Sequence, residues 1–122
     1  MKGCPLCNFE YKTPVLIREA KLPNDIDGVW SAVIDLNPKY KGAQRVLIVV
    51  PGPAFHYPPE EAPENLRAFI IEQAHRIGRY GLMGAYDCLG HPKRYFVEGL
   101  TEYSIRHLHT QVVFWYTEKR EL

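Results

Sequence analysis

Hydrophobic residues along this chain follow two different spacings. Residues 14–19, 30–36 and 44–50 gather Val, Ile and Trp between Pro-Asn-Asp and Asn-Pro breaks, which is the composition and punctuation of β-strands. Between residues 64 and 80, Leu66, Phe69, Ile70, Ala74 and Ile77 recur at helical spacing with Glu, Arg and Gln filling the other side, so an amphipathic helix is predicted. Pro63 with Glu60, Glu61 and Glu64 suits its start, where the helix dipole favours negative charge, and Gly78 and Gly81 suit its end. His75 falls on the polar face and reads as a surface residue. Residues 95–97 and 108–116 predict two later strands, and 83–88 is a further candidate. One main helix between an early and a late group of strands predicts an α+β domain with a mostly antiparallel sheet of about five strands.

Composition narrows the picture. The 122 residues, 46% of them apolar, suit a single domain over 1–122 with a core of its own. Fifteen basic and fourteen acidic residues give a formal charge of +1, so no basic field points to nucleic acid or a membrane surface. The longest purely apolar run, Val46 to Val50, is too short to span a bilayer, and no signal peptide is read at the start. A soluble, cytoplasmic protein is expected. Three cysteines cannot all pair, and Cys88 reads as a small buried residue. Cys4-Pro5-Leu6-Cys7 leaves metal, redox chemistry or chance. Metal is preferred, because a thioredoxin-like pair would sit between a strand and a helix rather than near the chain start.

Strand alternation puts His107, His109, Gln111 and Val113 in one row and Leu108, Thr110, Val112 and Phe114 in the other. The second row suits a core, which makes the first the accessible or site-lining one. Structural zinc takes four ligands in a tetrahedron, and Cys4 and Cys7 supply two thiolates from one tight turn. His56, just after the 44–50 strand, and His107 can complete a Cys2His2 set that ties three distant segments together.

The ordered combination of Cys4-x-x-Cys7, Ile34-Asp35-Leu36-Asn37-Pro38, Val46-Leu47-Ile48-Val49-Val50-Pro51 followed by His56, a long helix, and Ser104-Ile105-Arg106-His107-Leu108-His109-Thr110-Gln111 resembles the histidine triad (HIT) superfamily over nearly its whole length. The resemblance implies a HIT-like fold, a homodimer, and nucleotide chemistry at an α-phosphate. It implies zinc on Cys4, Cys7, His56 and His107, with His109 as nucleophile and Asp35 on the ribose hydroxyls. Without it, Asp35 before Asn37-Pro38 would read as a turn residue.

Imidazole titrates near neutrality, so a neutral His109 can attack phosphorus and form a nucleotidyl-histidine intermediate. Gln111 and Ser104 can donate hydrogen bonds to phosphoryl oxygens. Hydrolases of the family usually carry a third histidine where this chain has Gln111. Glutamine there resembles the transferase branch, including galactose-1-phosphate uridylyltransferase, because an amide cannot shuttle protons. Family members also place an asparagine and a glycine-rich turn before the motif, whereas residues 97–104 hold one glycine and the acids Glu98 and Glu102. A carboxylate there repels phosphate, so either Glu102 points away, or Arg106, Arg94 and Lys93 compensate, or the preferred ligand differs from the usual polyphosphate nucleotides. Nucleotidyl transfer or hydrolysis is therefore the leading expectation, with a non-catalytic zinc-stabilised nucleotide-binding module as the alternative.

Overall fold

The computed structural model describes residues 4–35, 41–98 and 106–117. Five strands form one antiparallel sheet: β1 (Val15–Lys21), β2 (Val29–Asp35), β3 (Ala43–Val49), β4 (Arg94–Val97) and β5 (His109–Trp115), in the order β1-β2-β3-β5-β4. One long helix, α1 (Glu64–Leu82), lies between β3 and β4 in sequence. The expected α+β architecture is thus observed.

The helix covers one face of the sheet. Leu66, Ile70, Ala74 and Ile77 from α1 meet Trp30, Ala32 and Ile34 of β2, Val46 and Ile48 of β3, and Val112 and Phe114 of β5. These alternate positions share one sheet face, so period-2 and helical apolar patterns close on a single core. Phe69 is half-buried and edges onto Trp30 at 6.2 Å between ring centres.

Two expectations about this layer need correction. Gly78 and Gly81 do not end the helix, which continues to Leu82. A Cβ at Gly78 would meet the Tyr95 ring at 2.3 Å, and one at Gly81 the Phe114 ring at 2.5 Å. The glycines permit close approach of helix to sheet. Residues 83–88 form no strand; they turn into a short 3-10 segment, Asp87–Leu89, in which Leu89 takes the core position and Cys88 is exposed rather than buried.

Candidate functional site

Three segments converge at one end of β3 and β5. Cys4 and Cys7 flank a tight turn whose Leu6 is buried and whose Leu6 carbonyl accepts the Gly52 amide at 3.2 Å. Gly52, at φ +113°, starts a 3-10 turn over Pro53–Phe55 that delivers His56. The Leu108 amide donates to the Phe55 carbonyl at 3.1 Å, bringing in His107 just ahead of β5. One ligand atom from each of Cys4, Cys7, His56 and His107 lies within 4.8 Å of all the others.

The spacing suits a tetrahedral cation. Metal–sulfur and metal–nitrogen bonds of zinc length at a tetrahedral angle put sulfur and nitrogen about 3.5 Å apart. Cys4 Sγ and Cys7 Sγ each lie 3.5 Å from His107 Nδ1, and Cys7 Sγ lies 3.3 Å from His56 Nδ1. His107 Nε2–H donates to the Val50 carbonyl at 2.8 Å, so Nδ1 presents its lone pair to the cluster. Burial opposes ionisation of both thiols. At Cys4 the amides of Leu6 and Cys7 outweigh it and lower the pKa below the usual thiol value, whereas burial keeps that of Cys7 raised. The four expected ligands are therefore brought together and can hold a metal.

His109 opens β5 beside this cluster. Its Nδ1 lies 2.6 Å from the His107 carbonyl, which can only accept, so Nδ1 carries the proton and Nε2 the lone pair of the neutral ring. Burial lowers the pKa of His109, and the positive charge of Arg45 adds to this, while the carbonyl contact and the Glu98 carboxylate oppose it. The ring is thereby biased toward the neutral form. His107, similarly, is lowered by burial.

Of the two expectations for this row, accessible or site-lining, the first is not met. All seven residues of β5 are buried, and His109 is only 1% exposed. β5 is an inner strand paired with β3 and β4, and aromatic packing continues on the side away from the helix, where Phe96 stacks on Trp115 and Arg94 lies over the same indole at 5.1 Å. Alternation distinguishes two faces but not whether the second meets water.

Register defines this second face. Ser31, Val33 and Asp35 of β2 align with Val49, Leu47 and Arg45 of β3, which align with His109, Gln111 and Val113 of β5. Gln111 is 8% exposed and its Oε1 is buried with no hydrogen-bond partner. Asp35 shares the face with His109 but stands two strands and four residues away, about 17 Å between Cα positions. Its Oδ2 accepts from Arg45 Nε at 3.0 Å and from Nη2. Arg45 went unremarked in the sequence; only its register opposite Asp35 reveals it. Glu98 continues the Gln111 row, its amide donating to the Gln111 carbonyl at 3.0 Å. Of the other expected cations, Arg106 is exposed and 3.8 Å from Glu61. His75 is exposed, as expected, and lies 3.1 Å from the Tyr95 hydroxyl. Ser104, Glu102 and the segment Leu36-Asn37-Pro38 lie outside the described residues.

No protein-family model, no curated protein and no solved structure matches the chain. Among the described residues, no helix is long and apolar enough to cross a membrane.

Proposed function

We propose that the chain is a HIT-like nucleotidyl transferase or hydrolase that acts at the α-phosphate of a nucleotide through a covalent nucleotidyl-His109 intermediate. The observation that carries this is the fixed tautomer of His109, whose Nδ1–H is held by the His107 carbonyl at 2.6 Å. In the first step the Nε2 lone pair forms a bond to the α-phosphorus, and the bond from phosphorus to the leaving oxygen breaks with its electrons going to the leaving group. Nδ1–H stays on its carbonyl throughout, which favours the charge that develops on the ring. In the second step an oxygen of an acceptor phosphate, or of a water that releases its proton to solvent, bonds to phosphorus. The P–N bond breaks and returns its electron pair to Nε2.

Zinc is the cation that two thiolates and two imidazoles in a tetrahedron fit best. Bound there, it would cross-link the N-terminal turn, the His56 segment and the start of β5. Its contribution is structural, because all four positions are taken by protein. His107 is then fixed at Nδ1 by the cluster and at Nε2 by Val50, so its carbonyl is a rigid acceptor for His109. Gln111 supports transfer over hydrolysis, since its amide binds phosphoryl oxygens but moves no proton. Asp35 is assigned to the ribose, and Ser104 to the phosphate from the motif alone. A homodimer and a cytoplasmic location belong to the same reading.

One observation favours the alternative. His109 at 1% exposure is deeply enclosed for a nucleophile, as suits a non-catalytic, zinc-stabilised nucleotide-binding module. The two readings separate when purified protein is incubated with dinucleoside polyphosphates, nucleotide sugars and nucleoside phosphoramidates and products are followed by phosphorus NMR. Release of a nucleoside monophosphate moiety that is lost in His109→Ala supports the enzyme. Nucleotide binding without turnover on any of these substrates supports the module. Metal analysis of the same sample should find about one equivalent of zinc; a preparation without it overturns the cofactor assignment.

A further inference from the structure

A structural ion accounts for Cys4 and Cys7 as ligands, but not for their placement. Both sulfur ligands of the cluster come from one four-residue turn, so its two oxidisable members are near neighbours in the chain. They differ in access to solvent. Cys7 is 8% exposed, whereas Cys4 is half-buried and followed by the exposed Pro5. Thiolates are the nucleophiles of sulfur chemistry, and access decides which of two reacts first.

The pair is also well isolated. The two Sγ atoms lie within 4.8 Å of each other. Closing them to a disulfide length moves them together by less than about 3 Å. The third cysteine, Cys88, sits at the other end of β5, where the Tyr116 hydroxyl donates to the neighbouring Leu89 carbonyl at 2.6 Å. The length of the His109–Trp115 strand, about 20 Å, keeps Cys88 from competing. The turn has an anchor that does not depend on the ion as well: Leu6 is 2% exposed, and its carbonyl holds the Gly52 amide at 3.2 Å. Cys4 and Cys7 therefore stay beside His56 and His107 when the ion leaves, as a reversible reaction requires.

We propose that Cys4 and Cys7 are a thiol switch, in which a hydroperoxide reacts at Cys4, the pair closes to a disulfide and the ion is released. This rests on the zinc assignment above. In the first step the Cys4 sulfur bonds to one peroxide oxygen, the O–O bond breaks, and hydroxide leaves, with Cys4 becoming a sulfenic acid. In the second step the Cys7 thiolate bonds to the Cys4 sulfur and displaces a second hydroxide. Two electrons pass from the sulfurs to the peroxide, and solvent protons convert both hydroxides to water. The disulfide leaves His56 and His107 as ligands, too few to hold the ion. His107 then loses its anchor at Nδ1 and keeps only Val50 at Nε2, and its carbonyl is the one that fixes His109. Oxidation thus reaches the proposed nucleophile through a single residue.

The test exposes the zinc-loaded full chain carrying Cys88→Ser to hydrogen peroxide. Released metal is followed with a colorimetric zinc chelator, and thiols by alkylation and intact mass. About one equivalent of zinc should appear in step with the loss of both alkylatable thiols and a mass lower by two hydrogens. Dimedone, which captures sulfenic acids, should label Cys4 and not Cys7. Dithiothreitol with added zinc should restore the original mass and metal content. If Cys88→Ser does not load zinc, the same readings are taken on the natural chain by peptide mapping of residues 4–7. An ion that stays bound at peroxide levels that oxidise free glutathione in the same tube overturns the switch and leaves the zinc assignment standing. Zinc release with sulfinic acid on Cys4 and no disulfide also overturns it, making the pair a site of damage. A dimedone adduct on Cys7 alone overturns Cys4 as the point of attack. A reduced chain that takes up no zinc overturns the zinc assignment and the switch together.

Discussion

The two faces of the sheet are buried on β5 to the same degree but built from different residues. Toward α1 stand Ala32, Ile34, Val46, Ile48, Val112 and Phe114, all apolar. Away from it stand Ser31, Asp35, Arg45, His109 and Gln111, interleaved with Val33, Leu47 and Val113. Burial alone therefore does not mark a core. On the helix side enclosure removes apolar surface from water and stabilises the fold; on the other it desolvates polar groups, which costs stability but sharpens their chemistry.

The comparison predicts a graded response. The largest effect is expected at neither face but at the cluster that joins the strand ends. Cys7→Ser, or chelation of the natural chain, should destabilise the fold by on the order of 4 kcal/mol or more in urea titrations followed by tryptophan fluorescence. A stability unchanged by chelators would remove the structural role of the metal.

Next comes the helix side. Ile70→Ala should cost about 2–5 kcal/mol while leaving nucleotide affinity of the folded fraction unchanged. Gly81→Ala sets two effects against each other. Helix propensity favours alanine by about 1 kcal/mol. Overpacking against Phe114 costs about 1–3 kcal/mol, so net destabilisation is expected. A more stable Gly81→Ala variant would show that the helix can lift off the sheet.

On the polar face a single change and a double change should differ in kind. Asp35→Leu alone leaves Arg45 enclosed without its partner and should cost about 3–5 kcal/mol. Adding Arg45→Met should recover most of that stability. Equal losses in the single and double variants would make the pair a source of stability after all.

The smallest effect is a pH dependence. Burial lowers the pKa of His109 from the ordinary value of 6.5, so the unfolded chain binds its proton more readily than the folded one. Its contribution is complete above that value and is lost as pH falls toward the lowered folded value. The stability of the natural chain relative to His109→Gln should therefore decline as pH falls below 6.5, the ordinary histidine value. A difference independent of pH would contradict the desolvated ring.

Legibility in the sequence followed the same division. The helix-side core could be read because apolar periodicity reports burial, and the metal set because two cysteines in one turn leave few chemical alternatives. The polar face was harder. Arg45 in a strand looks like any solvated cation until register sets it opposite Asp35, and a His-x-His-x-Gln row can be accessible or site-lining until β5 is found to be a buried inner strand. Gly78 and Gly81 carried a true signal with two meanings, helix end and close approach, and only the rings of Tyr95 and Phe114 decide between them.

The central claim is that His109 Nε2 bonds to phosphorus. Zinc-loaded protein is incubated with nucleotides and dinucleotides labelled at the α-phosphate, quenched in alkali and separated from free label. The account predicts a protein-bound label that survives alkali, is released by acid and is absent from His109→Ala. Label that is absent from the natural chain under conditions where nucleotide binds, or that persists in His109→Ala, would contradict it.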